Sequence, residues 1–233
     1  MADQLRFDLA TRPAQDRDAF FVAPANALAL AALDGWQSWT LGKMLLSGPA
    51  GSGKTHLAHV WAADTKATIL TPSELVDHPP VETALVLEDL HALEGDPAAE
   101  QAAFHHHNLA LAHNRPLLIT GRGPAGRWPI KLPDLASRLQ GTPSVSLDPP
   151  DDGLLAAIIL KLFTDRQLTP DPDLIPWLVQ NTERSFEAAQ RSVERLDDAS
   201  LAERRSLTVR FAAGLLRETA QDAPDERERD GHS

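Results

Sequence analysis

Short apolar runs alternate with longer amphipathic stretches through the first two thirds of the chain. The short runs predict strands, and the uninterrupted run 84–87 predicts one that helices cover on both faces of a parallel sheet. The runs occupy residues 44–46, 67–70, 84–87, 116–120 and 145–147. The stretches around and between them predict helices at 25–36, 56–61, 72–76, 98–113 and 132–139. Regular alternation of strands and helices predicts an α/β fold with a doubly wound parallel sheet.

The pattern changes at Pro149-Pro150, after which no strand pattern recurs. Asp151 or Asp152 can cap the first of four further helices. The first of these helices is predicted to end near residue 167, and the other three are predicted to span about 171–180, 185–197 and 208–219. We therefore expect a leader over 1–17, an α/β domain over 18–149, a small all-helical lid domain over 150–220 and a disordered charged tail over 221–233.

A phosphate-binding motif follows the first predicted strand. The pattern G-x-x-x-x-G-K-[ST] is matched by Gly48, Pro49, Ala50, Gly51, Ser52, Gly53, Lys54 and Thr55, and a helix is predicted from His56. In this motif backbone N–H groups surround the phosphates, Lys54 contacts the β- and γ-phosphates and Thr55 ligates Mg²⁺. A plain glycine-rich turn is the alternative, but the strand and helix context favours a site for ATP or ADP with Mg²⁺.

Polar residues follow two other predicted strands. Glu88 and Asp89 come directly after the run 84–87, and Thr120 closes the run 116–120. Beside a phosphate loop, one such carboxylate serves the Mg²⁺ hydration shell and the other positions water, although two solvated loop charges would look the same. Upstream, Phe21 and Val22 belong to an apolar segment that can lie over the nucleotide base or pack in the core.

The amino-acid composition bears on whether the protein binds DNA, a membrane or a metal ion. The net charge of −11 and the aromatic content of 5%, with no tyrosine, argue against strong direct DNA binding. No cysteine is present, which fits a reducing compartment. No apolar run approaches the roughly 20 residues of a membrane span, so we expect a cytoplasmic protein without a membrane partner. The histidines at 105–107 and 113 point in different directions on one helix and do not form a compact metal site.

The N-terminal segment contains one patterned piece, residues 4–9. Leu5, Phe7 and Leu9 alternate with polar residues, so an extended chain would present them on one side to a groove of a partner. Taken alone, the piece can equally be part of a disordered or edge-packed leader.

Together these features resemble the AAA+ ATPases, and several segments resemble the DnaA/Hda family within them. The segments are 53–57, 117–121, 132–139, 195–200 and 207–208, and the resemblance runs from Gln4 to about Thr219. The Hda branch of this family inactivates the bacterial replication initiator DnaA. The resemblance therefore implies a regulator that, with the DNA polymerase sliding clamp, promotes hydrolysis of ATP bound to DnaA. A homo-oligomer is also compatible with it.

The resemblance implies roles for single residues. Arg138 matches the arginine finger that reaches the γ-phosphate bound by a neighbouring subunit, and Arg184 matches the lid arginine that contacts the nucleotide of its own subunit. Thr120 lies at or beside the first sensor. The clamp-binding element would consist of Gln4, Leu5, Phe7 and Leu9.

Departures from the family pattern leave two other functions open. Glu88 stands where many relatives have Asp, and Asp134 stands where initiators carry a second arginine. One alternative is a self-sufficient ATPase that loads or remodels another replication protein. The other is a DNA-binding initiator relative, against which stand the acidic balance and the acidic tail after the lid.

Overall fold

The parallel sheet is built from the apolar runs of the first two thirds of the chain. The computed structural model describes residues 22–203 and 205–222. Its five strands are β1 (Lys43–Ser47), β2 (Thr68–Leu70), β3 (Leu85–Leu87), β4 (Leu117–Gly121) and β5 (Ser144–Ser146). They lie in the order β2-β3-β4-β1-β5, with β1 parallel to β4, β4 parallel to β3, and β3 parallel to β2. The predicted doubly wound parallel sheet is confirmed.

Eight α-helices lie in the described residues. They are α1 (Pro24–Asp34), α2 (Lys54–Thr65), α3 (Pro97–Ala112), α4 (Pro133–Gln140), α5 (Asp152–Asp165), α6 (Leu174–Asn181), α7 (Phe186–Glu203) and α8 (Val209–Asp222). Short 3₁₀ turns occur at Trp36–Ser38, Thr40–Gly42, Leu90–Leu93 and Ala125–Arg127. The predicted helix at 72–76 is wrong. Residues 72–77 form turns, in which Glu74 accepts hydrogen bonds from the Thr71 amide and hydroxyl at 2.9 and 2.7 Å.

The described chain divides into two compact units. The sheet unit contains residues 22, 28–47 and 54–145, and the helical unit contains 23–27, 48–53 and 146–222 with the gap at 204. The first six residues of the phosphate loop, Gly48–Gly53, are thus grouped with the four helices α5–α8, whereas Lys54 and Thr55 belong to the sheet unit as the start of α2.

Each unit has its own apolar core. In the sheet unit β3 and β4 are buried along their whole length, as expected for central strands that helices cover on both faces. Leu135 and Leu139 attach α4 to this core and are at most 1% exposed. The helical unit packs α5–α8 around Phe163, which is fully buried. Asp151 caps α5 by accepting the Leu154 N–H at 2.7 Å.

Candidate functional site

The phosphate loop requires glycine at two of its positions because of close contacts within the helical unit. Gly51 has φ of 65°, and a Cβ atom there would lie 2.4 Å from the Cβ of Ser185. Its carbonyl accepts the N–H of Phe186 at 2.8 Å. Gly53 has φ of 94° and lies against the Phe186 ring, 3.1 Å from the position of an added Cβ. The loop is therefore shaped by left-handed backbone that other residues rarely adopt.

Two polar side chains of the loop are buried. Ser52 is 4% exposed, and its hydroxyl has no hydrogen-bond partner among the described residues. Lys54, the first residue of α2, is 6% exposed. Burial lowers the pKa of its ammonium, and the carboxylates of Asp89 and Glu88 oppose that shift while Arg122 adds to it. A buried hydroxyl without a partner suits a phosphate oxygen, and a buried cation at a helix N-terminus does so independently.

The two acidic residues predicted from the sequence lie at the carboxyl end of β3. Glu88 is 7% exposed, and its Oε1 has no hydrogen-bond partner among the described residues. Asp89 adopts the left-handed conformation with φ of 49°. Its N–H donates to Thr120 Oγ1 at 2.9 Å, which the pairing of Leu87 with Ile119 allows. Thr120 is fully buried, so its hydroxyl fixes the backbone of the acidic loop.

A histidine and a tryptophan that sequence reasoning missed complete this end of the sheet. His91 Nδ1 lies 3.7 Å from Asp89 Oδ1. Burial lowers the pKa of His91, although Asp89 raises it. The Trp128 indole covers Gly121, where an added Cβ would lie 2.2 Å from the ring, and donates its N–H to the Arg122 carbonyl at 2.8 Å. No spacing in the sequence marks this loop packing.

Arg138 lies near the end of α4 with an exposed side chain. Its guanidinium has no ion pair or hydrogen bond with any residue in the described ranges. Its carbonyl, in contrast, accepts hydrogen bonds from Lys43 Nζ at 3.2 Å and from Thr142 Oγ1 at 2.8 Å. The backbone of Arg138 is therefore fixed while its charged group is available.

For the other residues predicted for the nucleotide site, no contact within the described part of the chain supports or contradicts their predicted roles. Thr55 is exposed and His56 is half-buried in the first turn of α2. Arg184, in the helical unit, forms an ion pair of 2.7 Å with Asp152. Val22 is 64% exposed. Phe21 and the clamp-binding residues Gln4, Leu5, Phe7 and Leu9 lie outside the described residues, so their predicted roles stay predictions.

The part of the chain that the structure describes contains neither a metal-ligand cluster nor a membrane-spanning helix. Within 22–203 and 205–222, no group of three or more His, Cys, Asp or Glu side chains is arranged to hold a metal ion. In the same ranges, no helix combines the length and the apolar character that crossing a membrane requires. His106 instead lies 3.2 Å from the carbonyl of Leu75 in the interior.

Comparison with known proteins identifies the fold. No family model matches the chain. Domain III of the replication initiation protein DnaA from Thermotoga maritima superposes with a TM-score of 0.77 and 18% identity, covering 88% of this chain and 97% of that one. AMPPCP-bound DnaA from Aquifex aeolicus gives 0.65 and 19%, covering 90% and 70%. The Holliday junction branch migration motor RuvB from Thermotoga maritima gives 0.65 and 18%, covering 88% and 72%. The chain has the AAA+ P-loop NTPase fold that these proteins share.

Proposed function

We propose that this protein is a nucleotide-binding AAA+ regulator of replication initiation that supplies Arg138 to ATP bound on the initiator DnaA. Hydrolysis of that ATP would leave the inactive ADP form. The observation that carries the proposal is the state of Arg138: its guanidinium is exposed without a partner in the described chain, while its carbonyl accepts two hydrogen bonds. An arginine that completes a site on another subunit needs this combination of a fixed backbone and a free charge.

The protein's own nucleotide would be ATP or ADP, held by the loop from Gly48 to Thr55. The buried, unpartnered Ser52 hydroxyl and the buried Lys54 ammonium suit phosphate oxygens. Thr55 and Glu88 are the residues that would serve Mg²⁺, which supplies positive charge beside the phosphates when it is bound. Asp89 would position water, and Arg184 would contact the nucleotide once released from Asp152.

The sliding clamp is the second proposed partner. Its support is the resemblance of Gln4, Leu5, Phe7 and Leu9 to the clamp-binding element of the Hda branch. Alternate apolar side chains on an extended segment suit a groove on another protein.

The test measures hydrolysis of radiolabelled ATP preloaded on DnaA, with clamp loaded on DNA. We expect the protein to accelerate hydrolysis and Arg138→Ala to remove about a thousandfold or more of that acceleration, the usual worth of an arginine finger. Arg191→Ala is the matched control, because Arg191 is an exposed helical arginine that pairs with Glu187 at 2.9 Å. An unchanged rate with Arg138→Ala would contradict the proposal.

One observation favours the alternative of a self-sufficient ATPase that loads or remodels another protein. Lys54, Glu88, Asp89 and Thr120 all lie in the sheet unit, and they supply the charges and the hydroxyl that cleavage of a bound ATP requires. Multiple-turnover ATPase activity of the protein alone, abolished by Asp89→Asn and unaffected by Arg138→Ala, would establish this function instead.

A further inference from the structure

Helix α4, which carries Arg138, meets a buried carboxylate at its beginning. Glu100 of α3 is 1% exposed. Its side chain accepts the backbone N–H of Lys131 at 2.9 and 3.1 Å and the N–H of Leu132, the N-cap of α4, at 2.6 Å. A carboxylate at this end of a helix is favoured by the helix dipole and binds N–H groups that the chain itself leaves unpaired.

The other end of α4 meets a buried ammonium. Lys43, the first residue of β1, is 3% exposed, and its Nζ donates to the carbonyl of Arg138 at 3.2 Å. The last four carbonyls of a helix have no partner within it, and this one is bound by Lys43 and by Thr142 Oγ1. A cation at this end again matches the helix dipole.

His107 fixes the direction of the Lys43 amine. His107 is fully buried, and its Nε2 lies 3.5 Å from Lys43 Nζ. Because an ammonium can only donate, Nε2 accepts, which places the ring proton on Nδ1, 3.2 Å from Asn108 Oδ1. The imidazole is therefore neutral. In agreement, burial is the main cause that lowers the pKa of His107 to about 4, with the charges of Lys43 and Arg138 acting in the same direction and the Asn108 hydrogen bond opposing them.

Stability alone does not account for the charge of Lys43. Burial lowers the pKa of Lys43, so the fold makes its charged form less favourable. Buried charges are often replaced by apolar residues of similar volume with no loss of stability. Both charges nevertheless act on the short helix that carries the exposed side chain of Arg138, one at each end.

We infer that Glu100 and Lys43 are positioning residues that hold α4 at both ends and so aim the Arg138 guanidinium at the ATP of the partner. The inference rests on the proposed function. The inference goes beyond the proposed function because it makes the stimulated rate of hydrolysis depend on two buried residues. Neither residue touches the nucleotide or the partner.

The experiment uses the DnaA hydrolysis assay with the full chain and the variants Lys43→Met and Glu100→Gln. We expect each variant to lower the maximal stimulated rate between about tenfold and a hundredfold, since small misplacements of a reacting group have effects of this size. The concentration for half-maximal stimulation stays unchanged, because the surface of α4 is kept. Lys43→Met keeps or raises the melting temperature. Lys161→Met, which removes an exposed lysine that pairs with Asp165 at 2.9 Å, is the matched control and leaves the rate unchanged.

Two results separate the failure of this inference from that of the proposed function. Full stimulation by both variants, with Arg138→Ala inactive, would overturn the positioning role and leave the arginine finger in place. Full stimulation by Arg138→Ala would overturn the proposed function itself. If Lys43→Met does not fold, Thr142→Val removes only the second donor to the same carbonyl. A loss of maximal rate without a change in half-maximal concentration then supports the inference, and an unchanged rate contradicts it.

Discussion

The two ends of the parallel strands treat their buried polar groups differently. At the carboxyl end, Glu88 Oε1 is buried without a partner in the described chain, and Asp89 is held in a left-handed conformation. At the amino end, Lys43, His107 and the Arg138 carbonyl form a connected set of contacts. Both ends belong to the same unit and border the same apolar core, so the difference lies in the polar groups themselves.

This contrast indicates a separate role for each end of the strands. A buried polar atom without a hydrogen bond costs about 1–3 kcal/mol, and left-handed backbone at a non-glycine residue adds roughly 1 kcal/mol or more. A fold retains such costs where a ligand supplies the missing partners. Satisfied groups at the amino end have no place for a ligand, and they serve instead to hold a neighbouring element in position.

The largest expected effect comes from removing the cation at the carboxyl end. Lys54→Ala lowers the affinity for a fluorescent ATP analogue by about a hundredfold, because charge-assisted hydrogen bonds to phosphate are worth about 2–3 kcal/mol. Without nucleotide, the melting temperature stays the same or rises, since the burial of Lys54 disfavours its charge. Lys161→Ala serves as the control. Unchanged affinity would show that the loop does not hold phosphates.

The dependence of stability on pH tests the contacts of His107 at the amino end of the strands. The pKa of His107 is lowered from its ordinary 6.5 to about 4, so the unfolded chain binds a proton there before the folded one does. Stability from this residue is present above pH 6.5 and is lost as the pH falls towards 4, by roughly 2–3 kcal/mol. His107→Gln should flatten the decline of the urea midpoint between these pH values. Parallel curves for the two proteins would show that His107 is not neutral in the fold.

Matched removal of one hydroxyl at each end compares them directly. Thr120→Val leaves the Asp89 N–H without its partner at 2.9 Å and should cost about 1–2 kcal/mol in urea unfolding. Thr142→Val should cost less, because Lys43 still donates to the same carbonyl. Equal losses would mean that the two ends do not differ in how their polar groups are supported.

The sequence predicts elements well where the pattern is local. Continuous apolar runs located β3 and β4, and the phosphate motif placed the start of α2 at His56, two residues after its observed start at Lys54. The prediction of a helix at 72–76 failed because the prolines at 79 and 80 prevent extension of the turns, although Glu74 accepts the Thr71 N–H as at the start of a helix. A local pattern does not separate one closed turn from the first turn of a helix.

Contacts between distant residues are the part that no pattern revealed. Lys43 and Arg138 are 95 positions apart, and Glu100 and Leu132 are 32 apart. Periodicity assigns a residue to a buried face, but it does not say which residue of another element lies opposite. Lys43 also stands one position before an apolar run, where a charged residue is ordinarily exposed. The sequence thus predicts the residues that we propose to contact a nucleotide far better than those that we propose to position Arg138.

The smallest expected effect on stability comes from replacing Glu88 at the carboxyl end of the strands. Glu88→Gln keeps the size of the side chain and replaces a buried carboxylate whose Oε1 has no partner in the described residues. We expect the melting temperature without nucleotide to change little or to rise slightly, because an amide is cheaper to bury than an ionised acid. Added Mg²⁺ should then no longer tighten the binding of ATP, since the amide brings no charge to the metal. Glu100→Gln, where the carboxylate already accepts three hydrogen bonds, should instead lower the melting temperature with or without Mg²⁺. If both variants lost stability equally, Glu88 would be a structural acid like Glu100, and its unpartnered oxygen would not mark a ligand site.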